Sequence, residues 1–340
     1  MRTLTLRELN RATLARQLLL ERRRLPVPVV LERLVGLQAQ WPPAPYVGIW
    51  TRVEGFRREV LASGLARGEV VKATVMRGTL HLVTRRDYAL LHAAISHRMG
   101  YAVLPESVQL APSVRALAAA GPVTTDDVLA HLEREHGLTG LRARRLWRGA
   151  RVHAHVTHHH ETALWQARPE GRFVALDEPA PRDADEALAE VLRRYLAAFG
   201  PSTRKDLNAW SMLPMPALDR ALARIEPLRR YRDEEGRELL DLPRAPLPPA
   251  DTPAPVRFLP KWDNVLLAWA DRRRVLPEQY RRVVIGQNGD VAQTFLADGV
   301  VAGTWRVEGG RVVPEPFAPL PRPVAREVAD EAARLEAWLC

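Results

Sequence analysis

Cysteine is all but missing: of 340 residues only the C-terminal Cys340 carries a thiol. That excludes an intramolecular disulfide and a thiolate metal cluster, and it fits a reducing cytosol. Lysine is nearly as scarce, with Lys72, Lys205 and Lys261 alone among 50 basic residues. No uninterrupted apolar run reaches the roughly 18 residues of a spanning helix. The N-terminus, with Arg2, Arg7, Glu8 and Arg11, lacks the apolar centre of a signal peptide. A cytoplasmic protein with no membrane partner is expected. There is no G-x-S-x-G elbow, no P-loop and no G-x-G-x-x-G turn after a strand. Serine-hydrolase, ATPase and dehydrogenase chemistry therefore have nothing to stand on, and no cofactor is expected.

What is present is an apolar fraction of 46%, enough for a folded chain of two to four domains, and a formal charge of +10 with a pI near 10.5. The charge makes an anionic partner such as nucleic acid plausible. Part of it reflects arginine-rich coding, since Ala and Pro are abundant as well.

Apolar positions Leu9, Ala12, Leu14, Leu18 and Leu19 predict a helix over residues 6–22. A second helix is predicted over 27–40, with Val30, Leu31, Leu34, Val35 and Leu37 facing the core. Further helix at 46–53 and 59–68 precedes two strands, 70–76 and 78–83, joined at Arg77-Gly78. Helices followed by a small hairpin describe a winged-helix unit.

The next two stretches repeat each other at an offset of 79 residues. Gly121-Pro122-Val123-Thr124 with Asp127-Val128 matches Gly200-Pro201-Ser202-Thr203 with Asp206-Leu207. In each copy an apolar helix (108–120 or 184–199) ends at Gly-Pro, and Thr124 or Thr203 is placed to cap the next. A third helix follows (142–156 or 216–225), then a hairpin: 162–176 around Pro169-Glu170-Gly171, and 228–242 around Asp233-Glu234-Glu235-Gly236. A proline-rich linker at 243–255 leads to strands at 256–259, 282–285, 291–295, 300–307 and 311–314 and a terminal helix at 324–339. The expected class is α+β, with three tandem winged-helix units and a small β-rich C-terminal domain.

Chemistry is sparse. Gln38 and Gln40 flank Ala39 at the end of an apolar helix, where Pro42-Pro43 turns the chain; buried carboxamides need partners, and a solvated helix face is the plain alternative. His155 and His159 have the i, i+4 spacing of zinc ligands on a helix, inside a cluster with His153, His158 and His160. The cluster has no nearby cysteine and no HExxH glutamate, so no metal is expected and a surface role remains open. Arg142, Arg144, Arg145, Arg148 and Arg151 surround Trp147 on the third helix of the second unit, to bind phosphates or to form a solvated face.

Three segments taken in order, Gly36-Leu37-Gln38-Ala39-Gln40, Met76-Arg77-Gly78-Thr79-Leu80-His81-Leu82-Val83 and Asp298-Gly299-Val300-Val301-Ala302-Gly303-Thr304-Trp305-Arg306, carry a resemblance. The chain resembles the winged-helix DNA-binding family that contains the AlkZ-like DNA glycosylases, which remove N-alkylated purines and unhook interstrand crosslinks. The likeness spans essentially the whole chain. It implies winged helices at 1–95, 96–180 and 181–243 and a β-barrel-like domain at 244–340. It further implies a monofunctional DNA N-glycosylase acting on N7-alkylated purines, a monomer on damaged double-stranded DNA without metal. Gln38 and Gln40 map onto the family's catalytic glutamine-apolar-glutamine motif, with Ala39 smaller than the aliphatic residue expected between them. Arg77, Thr79, His81, Arg142, Arg144, Arg145 and Arg148 are the expected DNA contacts; for His81 an outward-facing strand position is the alternative. The other functional class compatible with the chain is a non-enzymatic winged-helix DNA-binding protein or regulator.

Overall fold

Thr5 and Glu8 cap the first helix reciprocally: the Thr5 hydroxyl accepts the Glu8 N–H at 3.2 Å and the Glu8 carboxylate accepts the Thr5 N–H at 2.9 Å. The helix, α1 (Leu6–Arg16), is shorter than its apolar period suggested, because Leu18 turns to a left-handed φ of 57°. The computed structural model describes residues 1–98, 104–167, 171–177, 179–180 and 182–340.

The second helix, α2 (Val27–Arg33), does not run on to Gln40, which corrects the sequence expectation. Val35 and Gly36 adopt φ of 56° and 82°, conformations that end helices, and the chain reverses into a strand, β1 (Leu37–Gln38). Glycine is required at this turn: a Cβ on Gly36 would lie 2.8 Å from Val83 Cγ1 and 3.1 Å from the Leu82 carbonyl oxygen. The helical period was misleading because Leu37 is buried in strand form as it would have been in a helix.

Helices α3 (Pro43–Trp50) and α4 (Arg58–Ala66) lead to the expected hairpin, β2 (Val70–Thr74) and β3 (Leu80–Thr84), followed by α5 (Arg85–Ala94). The first repeat then runs α6 (Pro105–Ala119), β4 (Val123–Thr124), α7 (Thr125–His136), α8 (Gly140–His153), β5 (Val156–His158) and β6 (Arg172–Ala175). Of its expected turn, Pro169 and Glu170 lie outside the described residues. The second repeat contains α9 (Ala184–Phe199), α10 (Arg204–Ser211), α11 (Met215–Leu222), β7 (Arg229–Arg232) and β8 (Glu238–Asp241). Its geometry copies the first. The Thr124 and Thr203 hydroxyls accept the N–H of Asp127 and Asp206, each at 3.1 Å, and the backbone N–H of each threonine donates to the same aspartate's carboxylate at 2.8 Å. The residue before each cap also pairs with the second strand of its repeat's terminal strand pair, Val123 with Phe173 and, 79 residues on, Ser202 with Leu240.

The sheets unite what the repeat divides. A six-stranded antiparallel sheet has the order β1-β3-β2-β5-β6-β4, so the first hairpin continues into the first repeat where Lys72 opposes His158. The last segment holds β9 (Arg257–Leu259), α12 (Arg281–Val284), β10 (Thr294–Ala297), β11 (Val300–Glu308), β12 (Arg311–Pro316) and α13 (Arg322–Leu339). Residues 281–284 are helical where a strand was expected. The barrel-like expectation is corrected too: the four strands form a sheet of order β12-β11-β10-β9 that stays open among the described residues. Val328, Ala332 and Leu335 of α13 bury an apolar face in the core this sheet shares, which covers strands that would otherwise need closure.

Two ion pairs pin the N-terminal segment across the chain. Arg16 grips Asp241 at 2.7 and 2.9 Å, and Arg52 grips Asp263 with both distances 2.8 Å; all four side chains are buried. Bidentate geometry satisfies these charges where water cannot.

Candidate functional site

The hairpin turn between β2 and β3 places an arginine where a glycine would be easier. Arg77 has φ of 53° and Gly78 of 67°, so both sit in the left-handed region, and the arginine conformation costs about 1 kcal/mol. What holds it is a set of three contacts. Its guanidinium donates to the Gln38 Oε1 at 3.3 Å and the Trp210 carbonyl at 3.2 Å, and stands 3.4 Å from the His81 Nε2. Gln38 and His81 are direct cross-strand partners in the β1–β3 pair, which explains how one arginine reaches both.

His81 is fully buried, so neither the outward-facing alternative nor a direct DNA contact describes it. Its Nδ1 lies 3.0 Å from the Thr79 carbonyl, which assigns the proton to Nδ1 and leaves Nε2 to accept from Arg77. Burial, reinforced by the Arg77 charge, drives its pKa down to about 3, so the ring is neutral at physiological pH. Burial also lowers Arg77, to about 10, with the Arg272 charge adding to the effect; it remains cationic. Because arginine only donates, the atom it meets on Gln38 must be the carbonyl oxygen, and the orientation of that carboxamide is settled.

The turn that leads into Gln38 is held from far along the chain. Asn264 donates to the Leu34 and Gly36 carbonyls at 3.0 and 2.8 Å, beside the Arg52–Asp263 pair. Nothing in the sequence marked Asn264, whose partners are backbone atoms more than 200 positions away.

Gln40 has different surroundings. It is exposed where Gln38 is buried, at 7% of its free surface, and it lines a recess of about 480 Å³ with Trp41, Lys72, His158, Thr162 and Trp165. Gln38, His81 and Ala73 share one row of the sheet and Leu37, Leu82, Lys72 and His158 the next; β1 ends at Gln38, and Gln40 lies beyond the strand, beside Lys72 and His158 of the second row. Lys72 is buried, donates to the Thr162 carbonyl at 2.8 Å and has its pKa pulled down to about 8 by desolvation. His158 has both ring nitrogens buried without a hydrogen-bond partner. Burial, helped by Arg151 and Lys72, holds it well below the usual histidine range.

The remaining expected residues divide cleanly. Arg142, Arg144, Arg145 and Arg148 are exposed on α8, while Ala143, Leu146, Trp147 and Ala150 of the same helix are buried, so the arginines form its outer face. Thr79 is half-buried and returns its hydroxyl to the Met76 carbonyl at 3.1 Å. The His155/His159 pairing is not realised, because α8 ends at His153 and His155 turns to φ of 50° before β5. His155 instead faces the Tyr88 hydroxyl at 3.2 Å. His159, His160 and Glu161 do bring three potential ligand atoms within 4.8 Å of one another, but Glu161 is already engaged by Arg172 at 3.2 Å.

A family model described as DNA glycosylase AlkZ-like matches residues 31–338, a span that includes Gln38, Gln40, both hairpin arms and the α8 arginines. The chain belongs to the AlkZ-like DNA glycosylase family. One relative, an interstrand DNA cross-link repair glycosylase of Streptomyces sahachiroi, is 26% identical over 334 residues, 90% of this chain and 89% of that one. The solved structure of the Streptomyces sahachiroi DNA glycosylase AlkZ superposes with a TM-score of 0.81 at 22% identity, covering 99% of this chain and 97% of its own. The arrangement of helices and antiparallel sheets is thus that of a family member. Among the described residues no helix is long and apolar enough to cross a membrane.

Proposed function

We propose that this chain hydrolyses the N-glycosidic bond of N7-alkylated purines in double-stranded DNA, that it unhooks interstrand crosslinks, and that Gln38 and Gln40 are its catalytic residues. The observation that carries the reading is the family match, whose span contains both glutamines. The printed activity of the Streptomyces relative supports crosslinks as substrates.

N7-alkylation puts a positive charge on the base, so it leaves without a strong general acid and the sugar passes through an oxocarbenium-like state. The enzyme has to orient a water and to offer carbonyl dipoles to the sugar cation. Gln40, exposed at the recess, takes the role of carbonyl donor of electron density. Gln38 has the Arg77 charge on its Oε1, which disfavours a second cation there, and so it is assigned to the water. A neutral His81 adds no further positive charge. The excision step is hydrolytic and uses no metal.

DNA is held by the α8 arginines and by Arg77 and Thr79 near the hairpin tip, with His81 acting through Arg77. Residues 96–180 and 181–243 are read as winged helices because each has the order helix, short strand or bridge, helix, helix, two-stranded wing. Residues 1–95 form the first unit and 244–340 the closing domain. The enzyme works as a monomer in the cytoplasm. A crosslinked base cannot turn freely into a closed pocket, so an open basic surface suits the substrate.

One observation favours the second reading, a non-enzymatic binder: Gln38 is buried and does not share Gln40's surroundings. Duplex carrying a nitrogen-mustard crosslink separates the two. Unhooked strands with wild type and none with Gln40→Ala support the enzyme; binding without unhooking supports the binder.

A further inference from the structure

The histidines that follow α8 take no part in base excision, yet one subset of them is arranged to hold a cation. Just beyond β5, the His159 N–H donates to the Arg172 carbonyl at 2.8 Å. The His159 carbonyl accepts the Thr162 N–H at 3.0 Å and the Thr162 hydroxyl at 2.8 Å. The backbone is thus fixed on both sides of the His159 side chain, and His160 and Glu161 lie inside the turn that these bonds close. We propose that His159, His160 and Glu161 form a binding site for Zn²⁺ or a similar first-row divalent ion, with one coordination position left to water and Arg172 holding the carboxylate from behind. The site lies outside the excision chemistry and does not depend on it.

The spacing of the ligand atoms argues for an ion. His159 Nδ1 is buried, has no hydrogen-bond partner among the described residues and stands 3.4 Å from the Glu161 Oε2. Two atoms that each lie about 2.0–2.1 Å from a tetrahedral ion are about 3.4 Å apart. With Nδ1 unprotonated, two acceptors face each other at this distance, and a cation between them turns repulsion into coordination. A ring nitrogen of His160 completes the set: all three ligand atoms lie within 4.8 Å of one another, and the two rings have centroids 4.3 Å apart. Rotation of Glu161, whose side chain is 53% exposed, and of half-buried His160 closes the set around one ion.

The Glu161–Arg172 pair is compatible with this role. A carboxylate has two oxygens and about four lone-pair positions, so it can accept from Arg172 at 3.2 Å and still bind an ion. Ligating carboxylates are ordinarily hydrogen-bonded to such an outer partner. Two imidazoles select against Mg²⁺ and Ca²⁺, which take oxygen ligands, and favour Zn²⁺, Ni²⁺ or Cu²⁺. Thr162, anchored on His159, holds Lys72 through its carbonyl at 2.8 Å, so an ion here would also stiffen one wall of the recess beside Gln40.

The test uses the full chain, stripped with a chelator and then titrated with Zn²⁺ against a chromophoric chelator and with Co²⁺ followed by its visible absorption. One ion bound per chain and a melting temperature raised by Zn²⁺ are the expected results. Glu161→Gln and His160→Ala, matched to wild type in their metal-free melting curves, are each expected to weaken binding by about tenfold or more, and Arg172→Ala by about tenfold. If one variant melts early without metal, the other decides, together with X-ray absorption of the zinc-loaded wild type, which is expected to show two imidazoles on the ion. The absence of saturable binding overturns the proposal. So does binding that neither Glu161→Gln nor His160→Ala weakens, or that is lost instead on His131→Ala at the separate His131–His136 pair.

Discussion

At the scale of single residues, the arrangement turns on Arg77, which ties Gln38, His81 and the Trp210 carbonyl together from a strained turn. Lysine cannot reproduce this fork. Arg77→Lys is expected to slow base release by about tenfold, through lost orientation of Gln38; single-turnover excision rates measure it. His81 yields a pH prediction whose sign follows from its shift. The folded ring stays neutral down to about 3, whereas the unfolded ring takes a proton below its ordinary 6.5. Stability is therefore fully present above about pH 6.5 and falls as the pH drops toward 3, by about 1–2 kcal/mol between pH 7 and 5 for this one group. His158 acts in the same direction. Urea melts at the two pH values should show a shallower loss for His81→Phe than for wild type.

The elements carry the repeat, and the repeat can be tested through its caps. Removing a Ser/Thr cap costs about 1 kcal/mol, so Thr124→Ala and Thr203→Ala should lower stability by similar amounts in thermal melts. Asp206→Ala should cost more than Asp127→Ala, since Asp206 also accepts the Ala270 N–H at 2.9 Å and Asp127 has no such second task among the described residues. Helix α8 gives a prediction about binding rather than stability. Each of Arg142, Arg144, Arg145 and Arg148 that meets a phosphate should reduce the salt slope by about 0.9 on replacement by alanine, in a fluorescence-anisotropy titration over salt. A slope unchanged by all four replacements would remove α8 from the interface. These elements were the most legible part of the sequence. The Gly-Pro-x-Thr spacing located the caps because a capped helix start is a local event. The stretch ending at Gln40 was misread because burial of Val30, Leu31, Leu34 and Leu37 suits a helix or a helix that turns into a strand, and the deciding contact is Val83 against Gly36.

On the scale of the whole molecule, the C-terminal segment shapes the glutamine site. Asn264 holds the Leu34 and Gly36 carbonyls of the turn before Gln38, while its neighbour Asp263 neutralises Arg52, which in turn holds the Gln17 and Gly48 carbonyls. Asp263→Ala would leave a buried guanidinium unpaired and is expected to cost about 3–5 kcal/mol in denaturant melts. Such dependence was illegible in the sequence, where position 264 is one asparagine among loop residues. The open C-terminal sheet was equally hidden, because strand propensity says nothing about whether an edge meets another strand or a helix. The most direct measurement of the central claim is release of N7-methylguanine from duplex DNA under single-turnover conditions, comparing wild type with Gln38→Ala and Gln40→Ala. Release by wild type and its loss in both variants is the expected result; release that both variants match would contradict the catalytic role of the pair.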